Sequence, residues 1–455
     1  MLFQAVGFWV DCARLPDPFM KFFLILFSLF LFALPIPKIW ANSSSAVLSS
    51  VLNPAARSTI RDLHEDPPVA TSPQAEETRL TGDWAGKRSK LSAKGIDLAA
   101  LYKFEFNDNW RGGFRNRAEE LGMFQLRSSY NLETLTGWKG ASGYASALAL
   151  HGGNPSENVG DLQGTSNIEA PGRGALKLYE AWLQQRLFEN HLSILAGLHD
   201  LNSEFYATQS SALFFNNGFS IGTEFSQSGT DGPSIFPRAA VGTRVKAEWD
   251  SFLYVQAAGY DGAAGNPGRP QETSFRINAT DGMLLIAEVG LLPGQKPEGE
   301  MKPGKYAIGF WGYTQPSARH WLSGAPEKDY GSYFFFDQSV SDHMALFFRF
   351  GIANGEIRKV DSSMSSGIAV KKVIPHRPHD VIGFALSRIG SSNEYKESQL
   401  RLGQHIKSHE NVLELSYRLQ CLPGFVIQPD YQYVNGTSFS ALNAEVLSVR
   451  LELSL

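Results

Sequence analysis

The stretch Glu445 to Leu455, EVLSVRLELSL, constrains this chain more than any other. Leu447, Val449, Leu451, Leu453 and Leu455 fall on one side of it, and Ser448, Arg450, Glu452 and Ser454 on the other. A period of two puts these sets on opposite faces of a strand. A chain that closes on such a strand, behind a secretory leader, is expected to form a closed transmembrane β-barrel. A bilayer leaves few alternatives, because backbone polar groups in hydrocarbon must be paired within helices or a closed sheet.

The leader reads from Met20-Lys21 through the apolar run Phe22 to Leu34, then Pro35, Pro37, Lys38 and the small residue Ala41. This is the order of a signal peptide, with a start at Met20, cleavage after Ala41, and residues 1–41 as an upstream extension plus leader. An uncleaved anchor is the competing reading, but the run falls short of the about 20 residues a spanning helix needs. Of the two cysteines, Cys12 lies in the removed part, which leaves Cys421 without an internal partner.

Residues 42–78 are rich in Ser, Ala, Pro and acidic side chains with no apolar period, and read as a disordered linker. A short helix is expected next over Trp84 to Lys94, capped by Asp83 and ended by Gly95. Alternation then takes over for the remainder of 79–455. Ile96, Leu98, Ala100, Tyr102, Phe104 and Phe106 oppose Asp97, Lys103 and Glu105; Tyr179, Ala181, Leu183 and Leu187 oppose Glu180, Trp182, Gln184 and Arg186. From 238 to 248, Arg238, Arg244, Lys246 and Glu248 share a face, and Leu346, Phe348, Phe350 and Ile352 flank Arg349. About fifteen or sixteen such segments of about ten residues are present, the length that crosses a bilayer when tilted.

Short links such as Leu187 to Leu192 alternate with long Gly/Asn/Ser/Pro stretches at 152–174, 202–236, 262–280 and 353–378. Short turns on one side and long loops on the other match outer-membrane barrels, whereas a soluble sandwich or solenoid would show other spacing or a fixed repeat. Composition agrees: 19% charged residues, 12% aromatic residues and 43 glycines suit aromatic girdles and tight turns. Mean hydropathy is −0.18, since lipid-facing and lumen-facing residues cancel. A net charge of −4 gives no footprint for nucleic acid.

Leu80 to Ile96, LTGDWAGKRSKLSAKGI, resembles the N-terminal signature of the OprB-type carbohydrate-selective porins, L-x-G-D-W-G-G-x-R-x-x-L-x-x-x-G-I, with Ala85 in place of the first glycine of the pair. Five further stretches look like the family: Asp161 to Gly164 with Ser166 to Ile168; Leu178 to Gln185; Gly197 with Asp200 to Phe205; Pro233-Ser234 with Pro237, Gly242 and Arg244; and Gln428 to Val434. The resemblance implies an all-β, sixteen-stranded antiparallel barrel in the bacterial outer membrane, with a periplasmic helix, long extracellular loops and passive diffusion of small sugars. It also implies outer-membrane lipid and the barrel-assembly machinery as partners, and allows a homo-oligomer. Such chains usually end in an aromatic residue, and here Leu455 stands instead.

A sugar pore needs hydrogen-bonding groups along its wall and aromatic faces for the ring, with contacts weak enough for release. The lumen-facing set supplies Lys103, Glu105, Arg127, Glu180, Trp182, Arg186, Arg238, Arg244 and Arg349. Asp200, Asn202 and Glu204 open the long loop, in which Phe214, Phe215, Asn216 and Asn217 are expected to offer rings and amides to the channel if the loop folds inward. Mixed signs of charge argue against a single-sign selectivity filter, although a general or small-anion pore stays open as an alternative.

No catalytic residue, cofactor or metal is expected. Gly299 to Lys305 resembles a phosphate loop, but Tyr306 replaces the required Ser/Thr and a strand follows. His376 and His379 make a poor metal pair. An outer-membrane barrel hydrolase would need a Ser/His/acid trio; His151, His199 and His343 have no serine motif beside them in sequence.

Overall fold

The computed structural model describes residues 79–455 apart from 170–175, 267–268, 270–271, 295–301 and 318–325. The leader and linker boundaries at 1–41 and 42–78, with Met20 and Ala41, lie outside the described residues.

A helix α1 (Lys87–Ala93) precedes sixteen strands: β1 (Ile96–Gly112), β2 (Arg117–Asn131), β3 (Ala141–Gly152), β4 (Leu176–Leu187), β5 (Leu192–His199), β6 (Ala240–Trp249), β7 (Leu253–Asp261) and β8 (Met283–Leu291), then β9 (Gly304–Ser317), β10 (Glu327–Ser339), β11 (Met344–Ala353), β12 (Val360–Lys371), β13 (Val381–Ser391), β14 (His409–Leu422), β15 (Phe425–Asn435) and β16 (Asn443–Ser454). Each strand pairs antiparallel with its neighbours in the chain. β1 also pairs with β16, from Leu101 opposite Ser454 to Gly112 opposite Ala444, so the sheet closes without an edge.

The alternation decides which face meets lipid. Phe106, Leu126, Leu183, Ile308, Phe350, Phe384, Leu386 and Leu447 are exposed on the outside. Glu105, Ser129, Arg244, Glu288, Asp337, Glu414 and Ser448 are buried on the inside. That inverts the arrangement of a soluble domain and fits hydrocarbon as the outer solvent. Exposed aromatic residues gather at both ends of the strands: Trp138, Phe188 and Phe252 by the short turns, Trp110, Phe114 and Tyr330 by the long loops. These are the two interfacial girdles of a membrane barrel.

Four details differ from the sequence reading. The stretch 353–378 is not one loop, because β12 runs through it. Its lumen row is Ser363, Ser365, Gly367 and Ala369, a series of small residues that carries no apolar alternation. The small row has a steric reason: a Cβ added at Gly367 would collide with Phe347. Arg238 lies before β6 rather than on it, in the loop, where its guanidinium donates to the Asp231 carbonyl at 2.7 Å. Tyr179 points into the barrel although alternation places it outside. The register slips there, Ser146 pairing with Glu180 and Ala147 with Leu178, and the extra residue of a bulge turns the side chain inward. Finally, α1 begins at Lys87, because Trp84 and Ala85 adopt left-handed backbone (φ 53° and 57°). Asp83 still caps its start, accepting from the Ser89 N–H at 2.8 Å; the Ser89 hydroxyl first, and then that N–H, hold the Asp83 carboxyl below the usual range.

Candidate functional site: a lumen crossed by an inward loop

The segment 200–239 between β5 and β6 folds into the barrel. It is built of tight turns (Leu201–Ser203, Ser210–Leu213, Asn217–Phe219) and a short helical turn (Thr223–Ser226). Such a segment has many backbone N–H groups without partners of their own, and each costs stability if buried unpaired. Wall carboxylates supply the acceptors. Glu288 of β8 takes the Tyr206 N–H at 2.9 Å. Asp337 of β10 takes the Gln209 N–H and the Ser210 N–H, the latter at 3.0 Å. Glu414 of β14 takes the N–H groups of Phe215 and Asn216 at 2.5 and 2.9 Å. Asp329 of β10 takes the Gly229 N–H at 2.6 Å.

Small residues on the facing wall make room for the loop. A Cβ at Gly383 would strike Leu213 and Phe214, and one at Gly351 would strike the Glu224 carboxylate. Phe214 packs with Phe219 and Phe347, and Phe215 lies under the Arg450 guanidinium, 3.9 Å from the ring centre. Phe214, Phe215 and Asn216 are therefore fully buried, and only Asn217 keeps partial exposure. The expectation that all four offer groups to the channel is corrected: the same rings that read as a stacking surface serve to seat the loop.

The lumen-facing set sorts by position. Glu105 is sealed, holding Arg450, the Asn107 amide at 3.2 Å and the Ser166 hydroxyl at 2.7 Å. Glu180 is buried and accepts from the Asp200 N–H at 3.1 Å. Asp200 also takes the Tyr179 hydroxyl at 2.6 Å and the Asn202 N–H at 2.8 Å; burial pushes its carboxyl up, and those two bonds offset part of the shift. Arg349, 1% exposed, donates to the Phe219 carbonyl at 2.8 Å and to Thr208 at 2.6 Å, and lies over the Tyr206 ring. Arg244 holds Ser193, Gln184 and Glu204, at 2.6, 2.8 and 2.6 Å. Burial alone would push the Glu204 carboxyl up, but Arg244 and then His199 outweigh it and hold it at about 2, charged at any ordinary pH.

Nearer the short turns the lumen side chains keep exposure. Lys103, Arg127, Arg186, Asn202 and Glu204 are all half-buried. Trp182 is the exception: it is buried, stacked on the half-buried Tyr144, its register partner on β3, with ring centres 5.2 Å apart. Tyr144 escaped the sequence reading; the pairing of β3 with β4 is the signal that finds it. Arg418 escaped as well; Lys305 and Glu452, the latter already placed on the polar face of the last strand, join it on the lumen parity of their strands as further candidates.

His199 has a serine beside it after all: Ser203 Oγ lies 3.2 Å from its Nε2. Its Nδ1 contacts the Tyr260 hydroxyl at 2.7 Å, where a hydrolase triad would place a carboxylate, and Glu204 sits on the Nε2 side at 3.9 Å. Residues 302–305 of the glycine-rich stretch lead into β9 rather than a helix, and residues 299–301 lie outside the described part. No cluster with metal-ligand geometry occurs among the described residues.

A closed sixteen-stranded barrel, lipid-facing outside and constricted by a long inward loop, defines an outer-membrane pore. Residues 115–455 match the family model "Carbohydrate-selective porin, OprB family", and the chain belongs to that family. It is similar to Porin B of Pseudomonas aeruginosa, 26% identical over 421 residues that cover 82% of this chain and 90% of that protein. Among solved structures it resembles the high-pH structure of Pseudomonas putida OprB (TM-score 0.73, 21% identity, 84% of this chain and 99% of that one). The low-pH structure of the same protein matches with a TM-score of 0.55 at 20% identity over the same shares. The chain is a multi-pass β-barrel of the Gram-negative outer membrane and a sugar-favouring porin.

Proposed function

We propose that sugars are selected on the arc formed by β3 to β6, where the inward loop begins. The observation that carries this reading is the Trp182–Tyr144 ring pair beside the Arg244–Glu204–Gln184 hydrogen-bond set. A sugar presents an apolar ring face and a rim of hydroxyls; the half-buried Tyr144, Gln184 and Glu204 meet them with weak, releasable contacts, held in place by the buried Trp182 and Arg244 behind them. Asn202, Arg186 and, across the lumen, Lys103 and Arg127 extend the donor and acceptor track. Glu105, Glu180, Asp200 and Arg349 shape the path by fixing the loops, and Arg238 acts within the loop. The protein acts as a channel, and we propose that it carries out no catalysis and needs no cofactor or metal. Export through residues 1–41, a linker over 42–78, insertion by the barrel-assembly machinery and a possible homo-oligomer belong to the same proposal.

Liposome swelling tests it. Uptake of a monosaccharide is expected to outrun that of an uncharged non-sugar solute of matched size, and Trp182→Ala to narrow the difference. Equal rates in the unaltered protein would reduce the reading to a general pore; preference for small anions would favour the alternative selectivity.

A further inference from the structure

Charges on the lumen wall are balanced differently on two arcs. On β4 to β9, three of the described cations have a carboxylate each: Arg244 with Glu204 at 2.6 Å, Lys246 with Glu248 at 2.8 Å, and Lys305 with Glu288 at 3.7 Å. Of the other cations on β4, Lys177 is buried at the loop end and Arg186 lies toward the turn after the strand. On the arc from β14 to β2, four cations surround one carboxylate. Glu452 of β16 meets Arg418 Nη2 at 2.8 Å and Lys103 Nζ at 3.7 Å, and Arg450 and Arg127 also lie within its electrostatic reach.

The geometry of that cluster follows from register. Lys103 stands directly opposite Glu452, and Arg450 directly opposite Glu105, on the β1–β16 ladder. Arg418 reaches Glu452 across β15, where Val426, the register partner of Glu452, is too short to block the way. Glu105 is sealed beneath Ser166 and spends its charge on Arg450, so it offers little to the open lumen. Asp97 lies further toward the short turns, opposite Ser129. The side chains of Lys103, Glu452 and Arg418 remain 21%, 15% and 26% exposed. Their fields therefore reach a passing solute, since charges act over a Debye length of about 8–10 Å at ordinary salt. One of the Arg418 nitrogens, Nη1, is buried with no hydrogen-bond partner, so the cluster has donor capacity beyond what Glu452 satisfies.

We propose that Glu452 tunes specificity as the counter-charge of the Lys103–Arg127–Arg418 arc: it offsets one of the three cations and so limits the preference of that wall for anions over uncharged sugars. The inference rests on the sugar-porin reading and adds the residue that limits the pore's preference for anions. A wall of cations without it concentrates anions in the narrow part of the lumen. The effect is electrostatic and so weakens at high salt.

Reversal potentials across planar bilayers under a potassium chloride gradient test it, on full-length protein whose barrel assembly is checked by heat-dependent gel mobility. The unaltered channel should favour chloride modestly, and Glu452→Gln should raise the chloride-to-potassium permeability ratio about threefold further at 0.1 M salt, with the gain shrinking at 1 M. Arg418→Gln, which keeps Glu452 and removes a cation, should move the ratio the opposite way. Conducting E452Q channels with an unchanged ratio, or R418Q channels shifted toward chloride, would overturn the inference while leaving the porin reading intact. An unaltered protein that assembles and yet opens no channel would overturn the porin reading, and the inference with it.

Discussion

The upper and lower halves of the lumen are lined by the same strands and differ in fate. On β16, Ser448 and Arg450 are sealed while Glu452 stays partly open; on β14, Glu414 and Ser416 are sealed while Arg418 stays open; on β1, Glu105 and Asn107 are sealed while Lys103 stays open. Nothing in the residue types separates the sealed from the open members. The loops at 153–169 and 200–239 separate them, by folding over the half nearer the long loops. A polar wall residue thus becomes a fastening when a loop covers it and a solute contact when none does.

Substitutions in the two halves should break this contrast in different currencies, stability above and permeation below. Arg349→Met should have the largest effect. It removes a buried cation that holds the Phe219 carbonyl and Thr208, and leaves both without a donor. The expected cost is about 3 kcal/mol of loop stability, read as cleavage within 200–239 of the folded barrel about 100-fold faster. Unchanged protection would detach Arg349 from the loop. Glu414→Gln should follow, at about 1–2 kcal/mol and about tenfold faster cleavage, because the amide keeps only one acceptor oxygen and one of the two backbone N–H partners loses its acceptor.

A change outside both halves serves as a reference. Ala85 occupies left-handed backbone at φ 57°, the position at which the family signature carries glycine. Ala85→Gly should raise unfolding stability by about 0.5–1 kcal/mol, visible as a higher denaturant midpoint. A lower midpoint would show that the strain is absent.

The pH dependence contributed by two raised carboxyls of the inward loops should be smaller. Burial pushes Glu224 up to about 7, and burial together with the charge of Asp161 pushes Glu169 up to about 8. Both groups lie in the inward loops and hold a proton more tightly folded than unfolded. Their contribution is complete below the unfolded carboxyl range near pH 4.5 and is lost as pH rises toward 8. Thermal unfolding should therefore begin at a lower temperature at pH 9 than at pH 5, and Glu224→Gln should flatten the difference. Arg186→Gln, in the open half, should leave stability within about 0.5 kcal/mol while slowing monosaccharide swelling.

Much of the barrel was legible because a membrane wall has only two faces, and a period of two separates them even when average hydropathy is near zero. β12 was missed because its inner face must be small to admit Phe347 and the loop, so Ser363, Ser365 and Gly367 replaced the expected signal. Tyr179 was misplaced because one bulge exchanges the faces of a strand from that point on. The constriction was less legible than the wall. Acidic residues on the inner rows of β8, β10 and β14 read as lumen charge, and only their distances to loop N–H groups identify them as fastenings.

The central claim is that wall carboxylates hold the 200–239 loop across the lumen and thereby set what passes. Swelling of liposomes carrying the unaltered protein or an Asp337→Ala/Glu414→Ala double variant, compared in a monosaccharide and a trisaccharide, tests it most directly. The account predicts strong discrimination by size in the unaltered pore and a trisaccharide rate several-fold closer to the monosaccharide rate once both fastenings are gone. Correctly assembled double-variant barrels that discriminate as sharply as the unaltered protein would contradict it.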